Sequence, residues 1–382
     1  MRLVEASLSG FRNLAEARLA FSPGVNVFTG ANGQGKTNLL EALNYPALGR
    51  SFRGARDDEL VGFGAAAAHV AVEAETESGA REQYEYGLER GGGRRLRVAG
   101  EPVPRKADLV GRLATVVYDP QTVTLVRGAP EGRRRYLDQG LCGLDHAYFV
   151  ELQAYNRALK QKTSLLRDAA AGGRGRSGAH GNLRDDLKAW SDEMARHAAP
   201  LIRDRARYVR ELGPVAQDVL AGFTGRESSL EIVYAPGLEI AEKEAPETDL
   251  TREISSFLDY IGETEIRRGR CLAGPHADDL DLVLDGVSLR TFGSQGETRS
   301  VAIALKLAQG ELVFRRRRIR PILFFDDIFS ELDQERTRRL QEATAQMHQV
   351  FIATARADDV AGWRPQDARR WTVEAGRITE AP

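Results

Sequence analysis

Near the start of the chain, Gly30-Ala31-Asn32-Gly33-Gln34-Gly35-Lys36-Thr37 sets glycine, lysine and threonine at the spacing G-x-x-x-x-G-K-T. That spacing suits a loop wrapped around phosphate. Gly33 and Gly35 let the backbone curl until its N–H groups point inward. A helix beginning at the lysine would bring its positive end to the same place. Lys36 is then placed to reach the β- and γ-phosphates of ATP, and the Thr37 hydroxyl to ligate Mg2+. Asn38, Arg12 and Asn13 could also line the nucleotide. A second site of chemistry closes the run PILFFDD at 321–327. A run apolar on both faces reads as a buried parallel strand, and ligand-binding groups gather at the C-terminal ends of such strands. Asp326 therefore suits a Mg2+ role, directly or through water. Asp327 suits a general base or water-positioning role in hydrolysis of ATP to ADP and phosphate.

These groups need a strand before each and a helix after the glycine loop. VNVFTG supplies the first strand after a Pro23-Gly24 turn. Leu39, Leu40, Leu43 and Leu48 recur at helical spacing over 36–48, with Pro46 expected to end or kink that helix. Leu3, Glu5 and Ser7 alternate with Val4, Ala6 and Leu8 as in a strand, and 66–100 reads as hairpins around a GGG turn. From Glu131 to about Leu212 the pattern is long and helical. It is broken at 169–182, where Gly, Ser and Ala suggest a flexible tip between two antiparallel helices. A polar, acidic segment follows at 237–249, and strand and turn signals return at residue 271. The expected architecture is α/β: one ATPase domain from both chain ends (1–130 and 266–382) with a mainly helical domain inserted at 131–265.

Three further motifs separate the chain from nucleotide kinases and GTPases. Tyr118-Asp119-Pro120-Gln121 places a glutamine after a strand and resembles the Q-loop, which would make Gln121 a sensor of Mg2+ and the γ-phosphate. Ser294, Gln295, Gly296 and Glu297, ahead of the helical run RSVAIALKLAQGELVF, resemble a degenerate LSGGQ signature of ABC ATPases. Ser330-Glu331-Leu332-Asp333 resembles the D-loop. VFIATA (350–355) completes the set, with Thr354 where many ABC proteins carry a switch histidine. A signature at a helix start makes a second anion site, suited to ATP bound by another subunit.

The size of the insert and several local blocks then resemble the RecF family. LSGFRNL (8–14), GANGQGKTNLLEAL, GRSFR (49–53), YDPQTVTLVRGAPEGRRRYLD (118–138), LAGPHADDLDLVLDG (272–286) and SQGETRS (294–300) carry the likeness. The family commonly has Glu where this chain has Gln121. The resemblance implies a weak DNA-dependent ATPase in the cytoplasm. It implies an ATP-dependent homodimer that clamps duplex DNA near single-strand gaps and helps to load recombinase. A RecR-like mediator is the implied partner. DNA replication, repair, recombination and the SOS response are the implied processes. A transporter ATPase subunit would be more compact, and an SMC-type protein would carry a far longer coil.

Composition agrees. The chain of 382 residues is 42% hydrophobic and 29% charged, and no apolar run approaches the roughly 18–20 residues of a membrane helix. The start, MRLVEASLSGFRN, lacks a signal-peptide pattern. The 54 basic and 55 acidic residues give a net charge of −1, so any DNA contact must be local. Arg133-Arg134-Arg135 and Arg315 to Arg318 are the densest basic runs, read first as solvated helix faces and second as DNA contacts. Cys142 and Cys271 have no metal-binding spacing and read as small apolar residues. His276, Asp278 and Asp279 lack ligand spacing and read as a structural turn.

Overall fold

The computed structural model describes residues 1–171, 183–344, 349–360 and 368–381. Most of the tip expected at 169–182 lies outside the described residues. In chain order the strands are β1 (Arg2–Ser9), β2 (Ala17–Ala20), β3 (Val25–Thr29), β4 (Ala67–Glu75), β5 (Arg81–Glu89), β6 (Arg94–Val98), β7 (Glu101–Pro102), β8 (Thr115–Tyr118), β9 (Leu230–Ala235), β10 (Asp279–Leu284), β11 (Val287–Ser288), β12 (Ile322–Asp326), β13 (Val350–Thr354), β14 (Arg369–Glu374) and β15 (Arg377–Glu380). The helices are α1 (Lys36–Leu48), α2 (Thr124–Arg127), α3 (Pro130–Leu144), α4 (His146–Ala170), α5 (Leu183–Thr224), α6 (Glu247–Arg268), α7 (Leu289–Phe292), α8 (Gln295–Arg317) and α9 (Gln334–Thr344).

The chain divides into two compact units. One comprises Met1–Val123, Val215–Ser228 and Gln295–Pro382; the other comprises Thr124–Pro214 and Ser229–Ser294. The second unit begins before residue 131 and runs past 265, unlike the boundaries read from the sequence. Strand pairing explains the extension: β10 lies antiparallel to β9 from Asp279–Ala235 to Leu284–Leu230, and β11 pairs with β10. The helix α6 and the strand β9 fill the region where the sequence showed only a polar segment and a general helical texture.

In the first unit one sheet has the order β15-β14-β3-β13-β12-β8, parallel except at β15. Every residue of β12 and β13 is buried, which is why both read as unbroken apolar runs. Phe324 stacks on Phe351 at 5.0 Å, and Phe28 on Trp371 at 4.9 Å, so aromatic layers fill this sheet. The other sheet is antiparallel, in the order β2-β1-β4-β5-β6-β7. Along β1 the buried residues are Leu3, Ala6 and Leu8, not a strict alternation, because the pairing with β4 shifts between Leu3 and Glu5. Such a bulge moves the inward face by one residue. The buried Gln349 carboxamide joins the two sheets, accepting from the Leu3 N–H at 2.7 Å and donating to the Leu3 and Ser22 carbonyls at 2.7 and 2.8 Å. The helix α1 continues through Pro46 and stops at Gly49, which has φ 60° and donates to the Tyr45 carbonyl at 2.8 Å.

The second unit is held by a buried ionic hub. Arg205, on α5, donates to Asp278 at 2.6 Å, Asp138 at 2.7 Å, the Pro275 carbonyl at 2.7 Å and the Tyr148 hydroxyl at 2.9 Å. Asp278 also accepts from Tyr234 and from the Gly237 N–H. The turn carrying His276, Asp278 and Asp279 is therefore structural, as expected. Among the described residues no cluster of His, Cys, Asp or Glu could hold a metal ion. Replacing Asp278 by alanine leaves the buried Arg205 guanidinium with Asp138 as its one remaining carboxylate among the described residues and takes the acceptor from Tyr234 and the Gly237 N–H. The expected loss is about 3–5 kcal/mol in urea unfolding; an unchanged midpoint would show that this hub contributes nothing.

Candidate functional site

The G-x-x-x-x-G-K-T loop leaves the end of β3 and enters α1, and the strand carrying Asp326 lies two places away in the same sheet, beyond β13. Parallel pairing sends these strand ends to one edge. Gly33 and Gly35 have φ of 80° and 117°, backbone that a side chain rarely adopts. A Cβ on Gly35 would also sit 3.0 Å from the Asn13 carboxamide.

Across 289 residues of sequence, the Thr37 hydroxyl lies 2.9 and 2.8 Å from the two carboxylate oxygens of Asp326. Lys36 is buried and donates to the Gly30 and Ala31 carbonyls at 2.6 and 3.0 Å. Burial lowers its pKa, and the charges of Asp327 and Asp326 oppose that. The loop thus holds its own lysine inward, on its own carbonyls. Gln34 is anchored from outside: its side chain accepts from the Ala375 N–H at 2.6 Å and its carbonyl from the Gly376 N–H at 2.9 Å. Asn38 donates to Asn13 at 2.7 Å, and Asn13 to the Gln34 carbonyl at 3.3 Å.

Asp327 follows Asp326 in the left-handed region at φ 53°, its N–H donating to the Ala353 carbonyl at 2.8 Å. A non-glycine residue there is uncommon and marks a backbone held by its surroundings. The strand β8 pairs in parallel with β12, Tyr118 opposite Phe325, so Asp119 follows beside Asp326. Gln121 comes two residues later on an exposed turn. Thr354 is fully buried and donates to Asp359 at 2.8 Å, a fixed hydrogen bond where a switch histidine would stand.

The signature-like residues lie at the start of α8. Gln295, Gly296 and Glu297 form its first turn and Ser294 precedes it, so the helix begins inside the motif, earlier than the sequence pattern placed it. Ser294, Gln295 and Glu297 are exposed. The Gly293 carbonyl is held by Arg127. For the D-loop-like segment, Ser330 and Glu331 lie in a short 3-10 turn after β12 and Asp333 is exposed.

The first basic run resolves into structural contacts. Arg133 is buried and grips Asp279 at 2.5 and 3.0 Å, Arg134 donates to the Asp278 carbonyl at 2.8 Å, and Arg135 pairs with Glu131 at 2.8 Å. In the second run, Arg315 pairs with Glu311 at 2.8 Å. Sequence reasoning missed Asp119 as a charge beside Asp326, and Glu41 and Arg53 beside the loop. The run GRSFR signalled Arg53, but only the folded chain brings it to Asn38, at 3.1 Å.

A parallel sheet with a glycine–lysine–threonine loop and paired aspartates at one edge, and a signature-like turn opening a helix, defines an ABC-type ATPase head. The description "RecF/RecN/SMC N terminal domain" matches residues 2–365. The chain belongs to the RecF family of DNA replication and repair proteins. It is 38% identical to the DNA replication and repair protein RecF of Acidothermus cellulolyticus, covering 93% of this chain and 94% of that one. It is 37% identical to RecF of Frankia alni over the whole of both chains. Among solved structures it resembles the recombination mediator protein RecF described as "RecF-ATPrS in RecFOR pathway". That match has a TM-score of 0.90 and 28% identity, over 100% of this chain and 98% of that one. The Smc head domain of Pyrococcus yayanosii shares the fold, at a TM-score of 0.58 and 15% identity, over 100% and 97% of the two chains.

Burial pushes the Asp326 carboxyl up to about 6; the Thr37 hydroxyl opposes this, while Asp119 and Asp327 add to it. The folded value lies above the ordinary 3.8. The protonated carboxyl therefore favours the fold at low pH, and that contribution is lost as pH rises through about 6. At pH 7 the ionised group opposes folding by up to about 3 kcal/mol. Asp326→Asn should raise the melting temperature of the ligand-free protein at pH 7.5, with the gain vanishing below about pH 4. A melting temperature equal to wild type at both pH values would contradict this.

Proposed function

We propose that the chain binds ATP with Mg2+ at the glycine loop, hydrolyses it slowly, and uses the ATP-bound state to dimerise around duplex DNA. The Thr37–Asp326 contact carries this reading, because it joins the two halves of a Mg-nucleotide site in space. A hydroxyl and a carboxylate are hard oxygen donors, the set that suits Mg2+ when phosphate oxygens and water supply the rest. The Asp326 oxygens accept from Thr37 and sit at a strand end, so these residues fit the ion. Thr37 and Asp326 would hold it, with Gln121 of the turn after β8 as a further candidate, and it would supply charge to the β- and γ-phosphates.

The chain's own residues do the remainder. Lys36 exchanges the Gly30 and Ala31 carbonyls for phosphate oxygens, a charge-assisted contact. Backbone N–H groups of residues 30 to 37 and the start of α1 hold the anion. Asp327, one residue beyond Asp326, orients water or takes its proton. Ser294, Gln295, Gly296 and Glu297 act in trans on the ATP of a second copy, for which their exposure is needed.

The family membership supports a repair and replication role, in which the dimer marks duplex DNA near gaps and helps to load recombinase with a RecR-like mediator in the cytoplasm. No described helix is long and apolar enough to cross a membrane. DNA contact without base reading suits a chain of net charge −1 whose basic groups are local.

Sedimentation and duplex binding with ATP and with ADP test the reading. ATP should drive both dimerisation and DNA binding, ADP neither, and Lys36→Ala should lose both. ATP-dependent DNA binding that survives in Lys36→Ala defeats the clamp.

The signature has its own test. Ser294→Arg should keep monomer affinity for ATP within about twofold while abolishing the ATP-dependent dimer, because the added bulk occupies the space of the partner's phosphate. A purely helix-capping serine predicts about 1 kcal/mol of lost stability and a normal dimer.

A further inference from the structure

Glu41 lies on α1, just over one turn beyond Thr37, and is fully buried. A carboxylate held away from water needs partners. Arg12 grips it with two nitrogens at 2.5 and 3.0 Å, the Ser51 hydroxyl donates to it, and Arg53 stands 4.0 Å away. Arg53 also donates to Asn38 at 3.1 Å, and Asn38 to Asn13 at 2.7 Å, the residue after Arg12. The contacts form a closed ring around the first turns of α1. The ring touches the phosphate loop itself, since the Asn13 carboxamide sits 3.0 and 3.2 Å from where a Gly35 Cβ would be.

Two observations mark this ring as more than packing. Arg12 is held at φ 48°, with its N–H on the Leu60 carbonyl at 2.8 Å, a conformation that opposes its own preference. Each arginine also keeps donors in reserve. Arg12 uses Nε and Nη2, Arg53 uses Nη1, and their remaining N–H groups have no hydrogen bond among the described residues. Guanidinium forks with open donors match phosphate oxygens in geometry. Two such cations repel each other unless an anion lies between them, and Glu41 is that anion.

We propose that Glu41 is a positioning residue that holds Arg12 and Arg53 as a paired guanidinium clamp on the phosphates of nucleotide bound at the loop. The proposal rests on the nucleotide reading above. It explains why three sequence blocks far apart, FRN, NLLEAL and GRSFR, carry their charged residues together.

A double-mutant cycle separates positioning from packing. Mg-ATP affinity is measured by calorimetry for wild type, Glu41→Gln, Arg12→Ala with Arg53→Ala, and the triple variant. Glu41→Gln should weaken binding about tenfold, which is about 1.4 kcal/mol. Once both arginines are gone, the same substitution should change affinity by less than about twofold. An equal loss in both backgrounds, or wild-type affinity in folded Glu41→Gln, overturns the clamp. Should Glu41→Gln fail to fold, the cycle run with Glu41→Asp decides, since it keeps the charge and withdraws it by one methylene. Lys36→Ala is measured alongside. If wild type and Lys36→Ala bind Mg-ATP equally, the nucleotide reading fails and the clamp falls with it. If Lys36→Ala loses binding while folded Glu41→Gln binds normally, the clamp alone is wrong.

Discussion

The candidate site of the first unit depends on keeping an ionisable carboxylate buried at the end of a parallel strand. Asp326 is held there by the Thr37 hydroxyl on both oxygens, against its own preference for water. Nothing in β12 alone would keep it ionised. The cost is met by chain segments almost the full sequence apart, so the sheet must be formed before the site exists. The aromatic layers of Phe28, Phe324, Phe351 and Trp371 lock the neighbouring strands, and with them the distance between the loop and the carboxylate.

The same trade recurs around α1. Lys36 points at loop carbonyls, Arg12 sits in an unfavourable backbone region, and Asp327 does likewise. Each is a local expense supported by a rigid frame. The outer anchor of Gln34 on Ala375 and Gly376 extends that frame to the end of the chain.

The second unit solves a different problem. Its helices carry many charges, and Arg133, Lys162 and Arg205 are fully buried. Each has a carboxylate: Asp279, Glu265, and the pair Asp138 and Asp278. Buried ion pairs add little net stability compared with apolar packing, but they penalise wrong registers strongly. Arg133, from one of the two densest basic runs, thus became part of an internal scaffold, which composition alone could not reveal.

The phosphate loop, the apolar strand ending in two aspartates and the helix over 36–48 were legible in the sequence because each is a local pattern. Backbone conformation, helix periodicity and an unbroken apolar run are set by neighbours a few residues away. The order of motifs was legible too, since it needs only the chain direction. What the sequence left open depended on partners distant in the chain. The bulge in β1 comes from its register with β4, the reach of the second unit to Ser294 comes from β9 pairing with β10, and the burial of Arg133 comes from Asp279. Nothing local to Glu41 distinguishes it from any other polar residue on a helix, and only the fold turns it inward toward Arg12, Ser51 and Arg53. Residue types and spacing named the chemistry; long-range pairing decided which charges face a ligand and which hold the protein together, because burial is a property of the whole packed chain.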